Sequence, residues 1–350
     1  MQPPDVTPLT TLAGWRQFVR RPPVQAPTEP WDGERAAGNP ELHAEHTRQR
    51  IEYHTELAAL QTPELRRIVT TGRGLLLLNQ RQYGARRGLL VSGEPTTGKS
   101  TAITQLGRAV ELAYQRLRPG SDDAAPVVYL TMPPQATPKS LSIEILKFLG
   151  APYLARDSQI ELTRQACHLL ADLRNQLLIV DEIHNLDHHT RAGADASDHL
   201  KYLAENVAST FVYAGIDTAR TGLFNGIRGR QLAGRFVPIH TRPYPYATTG
   251  DRTQWRDLVT GFDSMLRLHH HQPGTLTRLA PYLHARTAGS ISSLSMLIRF
   301  AAVTAIGDGT ERITKTSLHD VPLDHAAATF TPARPRRATA AAAGAKPPAA

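Results

Sequence analysis

A glycine-rich stretch, GEPTTGKS at residues 93–100, follows an apolar run, GLLVS. A glycine, four residues and Gly-Lys-Ser is the spacing of a loop whose backbone N–H groups surround nucleotide phosphates. Gly93 and Gly98 permit the tight turn, and Lys99 places a positive charge at the β- and γ-phosphate oxygens. Ser100 offers a hydroxyl to Mg²⁺. The stretch therefore predicts a nucleotide site, formed by Gly93, Glu94, Pro95, Thr96, Thr97, Gly98, Lys99 and Ser100.

Two carboxylates follow a second apolar run, in the stretch LLIVDEIHNL. Asp181 can hold Mg²⁺ through water, and Glu182 can orient and deprotonate the water that attacks the γ-phosphate. An isolated Asp-Glu pair is more often an ordinary strand end. Here it lies about eighty residues after the phosphate loop, which leaves room for a strand between them. The combination predicts Mg²⁺-dependent ATP hydrolysis, with Ser100 and Asp181 at the metal and Lys99 and Glu182 as catalytic groups.

Four further residues lie where they could contact the reacting groups. His184 and Asn185 follow the carboxylates and could polarise Glu182 or sense the γ-phosphate; the alternative is that they cap and pack. Asp217 or Thr218, after the apolar run STFVYAG, could touch the γ-phosphate. These assignments remain open from the sequence.

Three arginines precede the last apolar run, in GIRGRQLAGRF. An arginine at this place can stabilise transition-state charge on a neighbouring subunit's γ-phosphate. We assign that role to Arg235, with Arg228 and Arg230 as substitutes; the alternative is a surface arginine.

Two other groups resemble reactive sites but favour structural roles. The tract His269-His270-His271 precedes Gln-Pro-Gly and is better explained as a loop than as a metal site. Cys167 lies on the apolar face of a helical pattern, which indicates a packing thiol rather than a nucleophile.

The apolar runs alternate with helical patterns, which predicts a parallel sheet covered on both faces. Thr62 and Pro63 are a cap and a first-turn residue that open a helix. From about Arg252 to Leu318 the pattern is helical throughout, which indicates a lid. We therefore expect an α/β fold with a five-stranded parallel sheet flanked by helices, followed by an α-helical lid. The predicted strands are 88–92, 126–132, 176–181, 209–215 and 235–240.

Composition divides the chain into four predicted parts. Residues 1–40 are a flexible, proline-rich arm, and 41–245 are the α/β ATPase domain with its N-terminal helices. Residues 250–320 are the helical lid, and 330–350 are a disordered, basic Ala/Pro-rich tail.

The chain has a net charge of +9, and several of its basic residues lie in the tail. This charge fits either a polyanionic partner such as nucleic acid or a solvated basic surface. The apolar runs are too short to cross a bilayer, and one cysteine fits a reducing compartment. We expect a cytoplasmic protein with no membrane partner.

The motifs together, with LTMPPQATPKSLSIEILKFLGAP, DEIHNL and QLAGRF in this order, resemble the TniB-type transposition ATP-binding proteins. These are relatives of TnsC and, more distantly, of Mu B and IstB. The resemblance covers about residues 45–318 and implies an AAA+ fold with Thr101 added to the nucleotide-binding residues. We expect ATP hydrolysis that is slow and is stimulated by DNA or partners. One departure is clear, since the lid stretch SISSLSMLIRF offers serines where many AAA+ lids carry an arginine, and Arg299 comes only later.

The resemblance also implies partners. It indicates a homo-oligomer, a ring or a filament, on double-stranded DNA that it contacts non-specifically through phosphates. It further implies selection of target sites and stimulation of a transposase, with a target-selector protein as a further partner. Two alternatives stay open: a loader or defence-type ATPase acting on a protein, and a small-molecule kinase.

Overall fold

A computed structural model describes most of the chain between residues 7 and 324. The described residues are 7–27, 40–154, 156–185, 191–216 and 233–324, with the backbone alone described for 191–197. The predicted tail at 330–350, together with Asp217, Thr218, Arg228 and Arg230, lies outside the described residues.

Five parallel strands form one sheet, in the order β2-β3-β4-β1-β5. The apolar strand β3 is buried along its whole length, as a strand covered by helices on both faces must be. Strands β3 and β4 lie between β1 and β2. The next strand after the glycine-rich loop, β2, is therefore an edge strand of the sheet. The predicted five-stranded parallel sheet is confirmed. The strands are β1 (Gly88–Gly93), β2 (Val127–Thr131), β3 (Leu177–Asp181), β4 (Thr210–Gly215) and β5 (Phe236–Thr241).

Helices cover the sheet and then form a bundle of their own. Those that precede β5 are α1 (Leu12–Arg20), α2 (Pro40–Thr55), α3 (Pro63–Asn79), α4 (Lys99–Leu117), α5 (Pro138–Leu149), α6 (Gln159–Asp172) and α7 (Arg191–Asn206). The lid contains α8 (Thr249–Met265), α9 (Thr275–Arg278), α10 (Ala280–Thr287), α11 (Ile291–Gly307) and α12 (Lys315–Asp320). A short 3-10 turn, Ile183–Asn185, follows β3.

Helix α3 begins as its sequence predicts. The Thr62 hydroxyl accepts a hydrogen bond from the Leu65 N–H at 3.1 Å, and Pro63 occupies the first turn. Its apolar face packs on α4 so closely that a Cβ at Gly72 would lie 2.4 Å from the Leu106 side chain. The opposite face of α3 is exposed.

Helix α1 differs from the flexible arm expected for residues 1–40. Thr11 caps it, and the side chain of Trp15 is completely buried. The Trp15 indole donates a hydrogen bond to Glu111 at 3.2 Å, and its ring stacks on Tyr129 with centroids 6.0 Å apart. The burial of one large aromatic side chain anchors this part of the proline-rich segment to the domain.

The lid has its own apolar core, centred on α8 and α11. Helix α2 and the segment after it pack against this core, since Ile51, Leu57 and Leu60 contact it. The sequence predicts this helix as part of residues 41–245 instead. A buried ion pair, Arg50 with Glu311 at 2.7 Å, joins α2 to the lid. The lid core therefore extends beyond the predicted range of 250–320.

Membrane-spanning potential is weak in the described part of the chain. No single helix there is long and apolar enough to cross a bilayer. The pair α10 and α11 reaches the required length and hydropathy only when both are taken together, across a bend of 115°.

Candidate nucleotide site

The glycine-rich loop joins β1 to α4, as predicted. A Cβ at Gly93 would lie 2.1 Å from the carbonyl oxygen of Thr241, so only glycine fits this close approach to β5. Thr96 has φ of 63° and Gly98 has φ of 83°, both in the left-handed region. No side chain caps the N-terminus of α4, so its first N–H groups point at whatever the loop surrounds.

Lys99 is buried at the start of α4, with 8% of its surface exposed. Its ammonium donates to the carbonyl oxygens of Gly93, at 2.9 Å, and Glu94, at 2.5 Å. Burial lowers the pKa of Lys99, and the nearby carboxylates of Glu182 and Asp181 partly oppose that change. The fold therefore brings the predicted lysine and the predicted carboxylates into one electrostatic site.

Asp181 ends β3 and is 3% exposed. One carboxylate oxygen accepts the Glu182 N–H at 2.9 Å, and the other accepts the hydroxyl of Tyr129 at 3.0 Å. Burial, and then the charge of Asp181, raise the pKa of the Tyr129 phenol, so the phenol stays protonated and donates. Sequence reasoning missed Tyr129; the available signal was a tyrosine within an apolar strand next to the strand that ends in Asp181.

Glu182 follows with φ of 55°, and its side chain is partly exposed. His184 Nε2 lies 3.2 Å from Glu182 Oε2, and His184 Nδ1 accepts the Ile216 N–H at 3.3 Å. Because Nδ1 accepts a hydrogen bond, the proton of neutral His184 resides on Nε2 and is directed at Glu182. The structure thus favours contact with Glu182 for His184, whereas Asn185 donates to the carbonyl of Met132 at 2.9 Å and fixes the turn.

The start of lid helix α11 lies directly against the loop. The Ser292 N–H and the Ser290 hydroxyl both reach the Thr96 carbonyl oxygen at 3.2 Å. The serines noted as a departure in sequence therefore contact the phosphate loop through its backbone. The arginine of α11, Arg299, comes farther along the helix and donates to the carbonyl of Thr55.

A cavity of about 460 Å³ opens between the loop, the segment before α3 and the lid. Its walls are apolar at Leu60 and Ile291 and polar at Thr62 and Thr101. Thr97 and Thr241, which also line the cavity, hydrogen-bond each other at 2.7 Å. Glu94, Pro95 and Ser100 are exposed at the mouth of the loop.

Arg235 is not brought to this site within one chain. Its carbonyl accepts the N–H of Gly88, the first residue of β1, so it lies at the end of the sheet opposite the loop. Its guanidinium is 3.2 Å from the carboxylate of Glu205. A role on a neighbour's nucleotide stays a prediction.

The histidine tract and Cys167, which the sequence assigns to structural roles, make packing contacts in the structure. His271 pairs with buried Asp263 at 3.1 Å, and its other ring nitrogen accepts the Ile313 N–H at 3.3 Å. Burial raises the pKa of the Cys167 thiol, which disfavours a nucleophilic thiolate. No cluster of three or more His, Cys, Asp or Glu side chains suited to a metal occurs among the described residues.

Comparison with solved structures supports the fold. ORC1 of Aeropyrum pernix, solved in complex with DNA, aligns with a TM-score of 0.56 at 19% identity, over 73% of this chain and 63% of that one. ORC2 of the same organism, in ADPNP–ADP complexes, aligns with a TM-score of 0.55 at 13% identity, over 73% and 65%. This chain thus spans less than two thirds of either protein. At these identities the likeness shows a shared fold, the P-loop AAA+ fold that the sequence predicts.

Comparison with sequences gives the family. No curated protein sequence matches significantly. The family model described as "Bacterial TniB protein" matches residues 50–246, more than half of the chain, including the glycine-rich loop and both carboxylates. The chain belongs to the TniB family.

Proposed function

We propose that this protein binds and hydrolyses ATP and uses the cycle to regulate DNA transposition. The observation that carries the first part is the convergence of Lys99, Asp181 and Glu182 at the carboxyl ends of β1 and β3. Ligands of doubly wound sheets bind at this edge. The second part rests on membership of the TniB family.

The loop fits a triphosphate, and oxygen donors suited to Mg²⁺ lie beside it. Gly98 opens an α4 N-terminus that no side chain caps, and Lys99 adds a positive charge. Ser100 and Asp181 supply the hydroxyl and carboxylate oxygens that Mg²⁺ prefers. Bound Mg²⁺ would neutralise charge on the phosphate oxygens. The cavity that Thr62 and Thr101 line accepts the nucleoside.

Glu182 is the proposed general base for water. Its position one residue after Asp181 places it at the edge of the site, and its side chain is open to solvent on one side. A group that activates water is needed for hydrolysis and not for transfer of phosphate to a metabolite. This favours an ATPase over a small-molecule kinase.

Arg235 is proposed to act between subunits of a ring or filament. Its place at the opposite end of the sheet from its own loop keeps it from that loop's phosphates. The ion pair with Glu205 would open when the guanidinium reaches a neighbour's γ-phosphate.

DNA is the proposed macromolecular partner, through non-specific phosphate contacts, together with a transposase. Two proteins of the same fold support this: ORC1 was solved in complex with DNA, and Drosophila ORC, at a TM-score of 0.50 and 16% identity over 88% of this chain and 72% of that chain, was solved bound to DNA. The net charge of +9 fits a polyanion.

Binding to a random-sequence duplex, measured with and without ATP across a salt series, tests the proposal. We expect ATP-dependent affinity that weakens steeply with salt, and no ATP-dependent gain for Lys99→Ala. If the ATP-bound protein has no DNA affinity even at low salt, the transposition function is wrong. The same ATPase site would then belong to a loader or defence-type ATPase that acts on a protein.

A further inference from the structure

The exposed side of α3 and the loop after it carries an unusual excess of positive charge. Between Glu64 and Glu94 the chain has six arginines and no aspartate or glutamate. The net charge of the whole chain is +9, so this short segment accounts for much of the excess. The arginines are Arg66, Arg67, Arg73, Arg81, Arg86 and Arg87.

Helix α3 separates its three arginines, Arg66, Arg67 and Arg73, from the core. Leu65, Ile68 and Leu75 are buried toward the sheet and α4. Arg66 and Arg73 are exposed seven residues apart, which puts them on one side of the helix about 10 Å apart along its axis. The helix therefore presents a row of cations to solvent.

The loop after α3 adds further exposed arginines, and its backbone is held at Arg87. Asn79 bonds both the N–H and the carbonyl of Arg87, at 3.0 and 2.8 Å, and also the Thr210 hydroxyl at 2.9 Å. Arg81 and Arg87 project from the loop as exposed side chains, and Tyr83 between them is fully exposed. We call the five exposed arginines the basic face: Arg66, Arg67, Arg73, Arg81 and Arg87.

No carboxylate of the described residues pairs with the basic face. None of its arginines forms an ion pair with any residue that the structure describes. Some other surface arginines do pair, as Arg20 does with Asp122 at 2.8 Å and Arg48 with Glu45 at 2.6 Å. A fixed row of unpaired cations keeps a strong positive potential and attracts a polyanion.

We propose that the basic face is the surface that binds the phosphate backbone of duplex DNA, an inference that rests on the proposed function. From Arg66 to Arg81 the face extends over about 20 Å, the length of roughly six base pairs. One guanidinium group donates two parallel hydrogen bonds to a phosphate, so arginine suits this contact better than lysine. Contacts of this kind position the protein without reading the base sequence.

The test removes three positive charges from the basic face. The triple variant Arg66→Gln, Arg73→Gln, Arg81→Gln is compared with wild type in ATP-dependent binding to a random-sequence duplex. The salt concentration is varied from about 50 to about 300 mM, a range that includes physiological ionic strength. We expect the slope of log Kd against log salt to fall by about 2 to 3, and the affinity near 0.1 M salt to weaken on the order of a hundredfold.

A matched control removes three exposed arginines from other helices: Arg116→Gln, Arg164→Gln, Arg256→Gln. It loses the same charge, and its salt slope should change by less than about one. Thermal unfolding and ATP affinity show that both triple variants are folded. The single variant Arg73→Gln, with an expected slope change of about one, replaces the triple variant if that one unfolds.

Three results overturn the proposal, and they show whether the proposed function falls with it. If wild type binds DNA and the triple variant keeps the wild-type slope of log Kd against log salt, the basic face is not the DNA surface. That result leaves the proposed function intact. The same holds if the triple variant loses only self-association or a protein partner. Wild type without DNA affinity removes the inference and the proposed function together.

Discussion

Two regions of the molecule each bury a cation and a carboxylate. One is the carboxyl ends of β1 and β3, which we call the phosphate edge, and the other is the junction between α2 and the lid. The two regions hold these charges differently. At the junction Arg50 and Glu311 meet directly at 2.7 Å, and both side chains are almost completely buried. At the phosphate edge, within the described part of the chain, Lys99 donates only to backbone carbonyls, and Asp181 accepts only from a phenol and a backbone N–H. Neither has an ionic partner among the described residues.

This difference separates a structural charge from a functional one. Burial of a charge is costly, and a direct pair such as that at the junction offsets the cost within the fold. Lys99 and Asp181 are held by neutral groups that leave their charges free to act on a ligand. If the two regions divide stability and chemistry in this way, substitutions at the phosphate edge should change catalysis, and substitutions at the junction should change stability.

The largest expected effect is on chemistry at the phosphate edge. Glu182→Gln should lower ATP hydrolysis by about 10²- to 10⁴-fold, because it removes a general base, while ATP affinity and unfolding change little. A steady-state phosphate-release assay measures this. Glu144→Gln, which removes a carboxylate paired with Lys147 on the surface, is the control. Hydrolysis by Glu182→Gln at the wild-type rate would assign the base elsewhere.

The junction should respond in stability instead. Glu311→Ala leaves the Arg50 guanidinium buried and unpaired, which should cost about 3 to 5 kcal/mol in the free energy of unfolding of the lid. Urea unfolding measures the change. Asp122→Ala, which breaks the exposed pair with Arg20, should cost less than about 1 kcal/mol. Equal effects of the two substitutions would refute the structural role of the buried pair.

The junction also sets the direction of a pH effect. Burial by itself would raise the pKa of the Glu311 carboxyl, but Arg50 and the His269 N–H lower it below its usual value. The contribution of the pair is therefore complete above the unfolded-state pKa of about 4.3 and is lost as the pH falls through the folded-state pKa.

The sequence predicts the phosphate edge better than the junction. Gly93, Lys99 and Asp181 belong to local motifs whose spacing and flanking apolar runs specify strand, loop and helix. The Tyr129 contact with Asp181 depends on two strands that pair across 52 residues of sequence, and Arg50 meets Glu311 across 261. No local pattern carries such pairings, since tertiary packing decides them.

A similar limit explains helix α1. Proline and turn-forming residues around it predict a loose arm. Trp15 overrides it by packing on α4, where a Cβ at Gly107 would lie 2.6 Å from the indole ring. The matching glycine lies 92 positions away, so only the folded chain shows that the two fit.

A smaller effect is expected at His199, a buried group of a third kind that stays neutral. It hydrogen-bonds the Ser142 hydroxyl at 3.0 Å, and burial lowers its pKa to about 4. Because the unfolded-state pKa is near 6.5, wild type should lose up to about 2 kcal/mol between pH 7 and pH 5 from this group. His199→Gln should lack that loss in urea unfolding, whereas replacement of exposed His319 should not alter it. Parallel pH profiles of wild type and His199→Gln would contradict the assignment.

The most direct test of the phosphate edge is calorimetric titration of ATP with Mg²⁺ into wild type and Lys99→Ala. The buried lysine is held for a phosphate ligand, so we predict saturable binding by wild type and a loss of at least about a hundredfold in affinity for the variant, about 2.7 kcal/mol. Thermal unfolding of both proteins without nucleotide is the control. Wild-type affinity in Lys99→Ala would contradict the account, because the loop would then not be the nucleotide site.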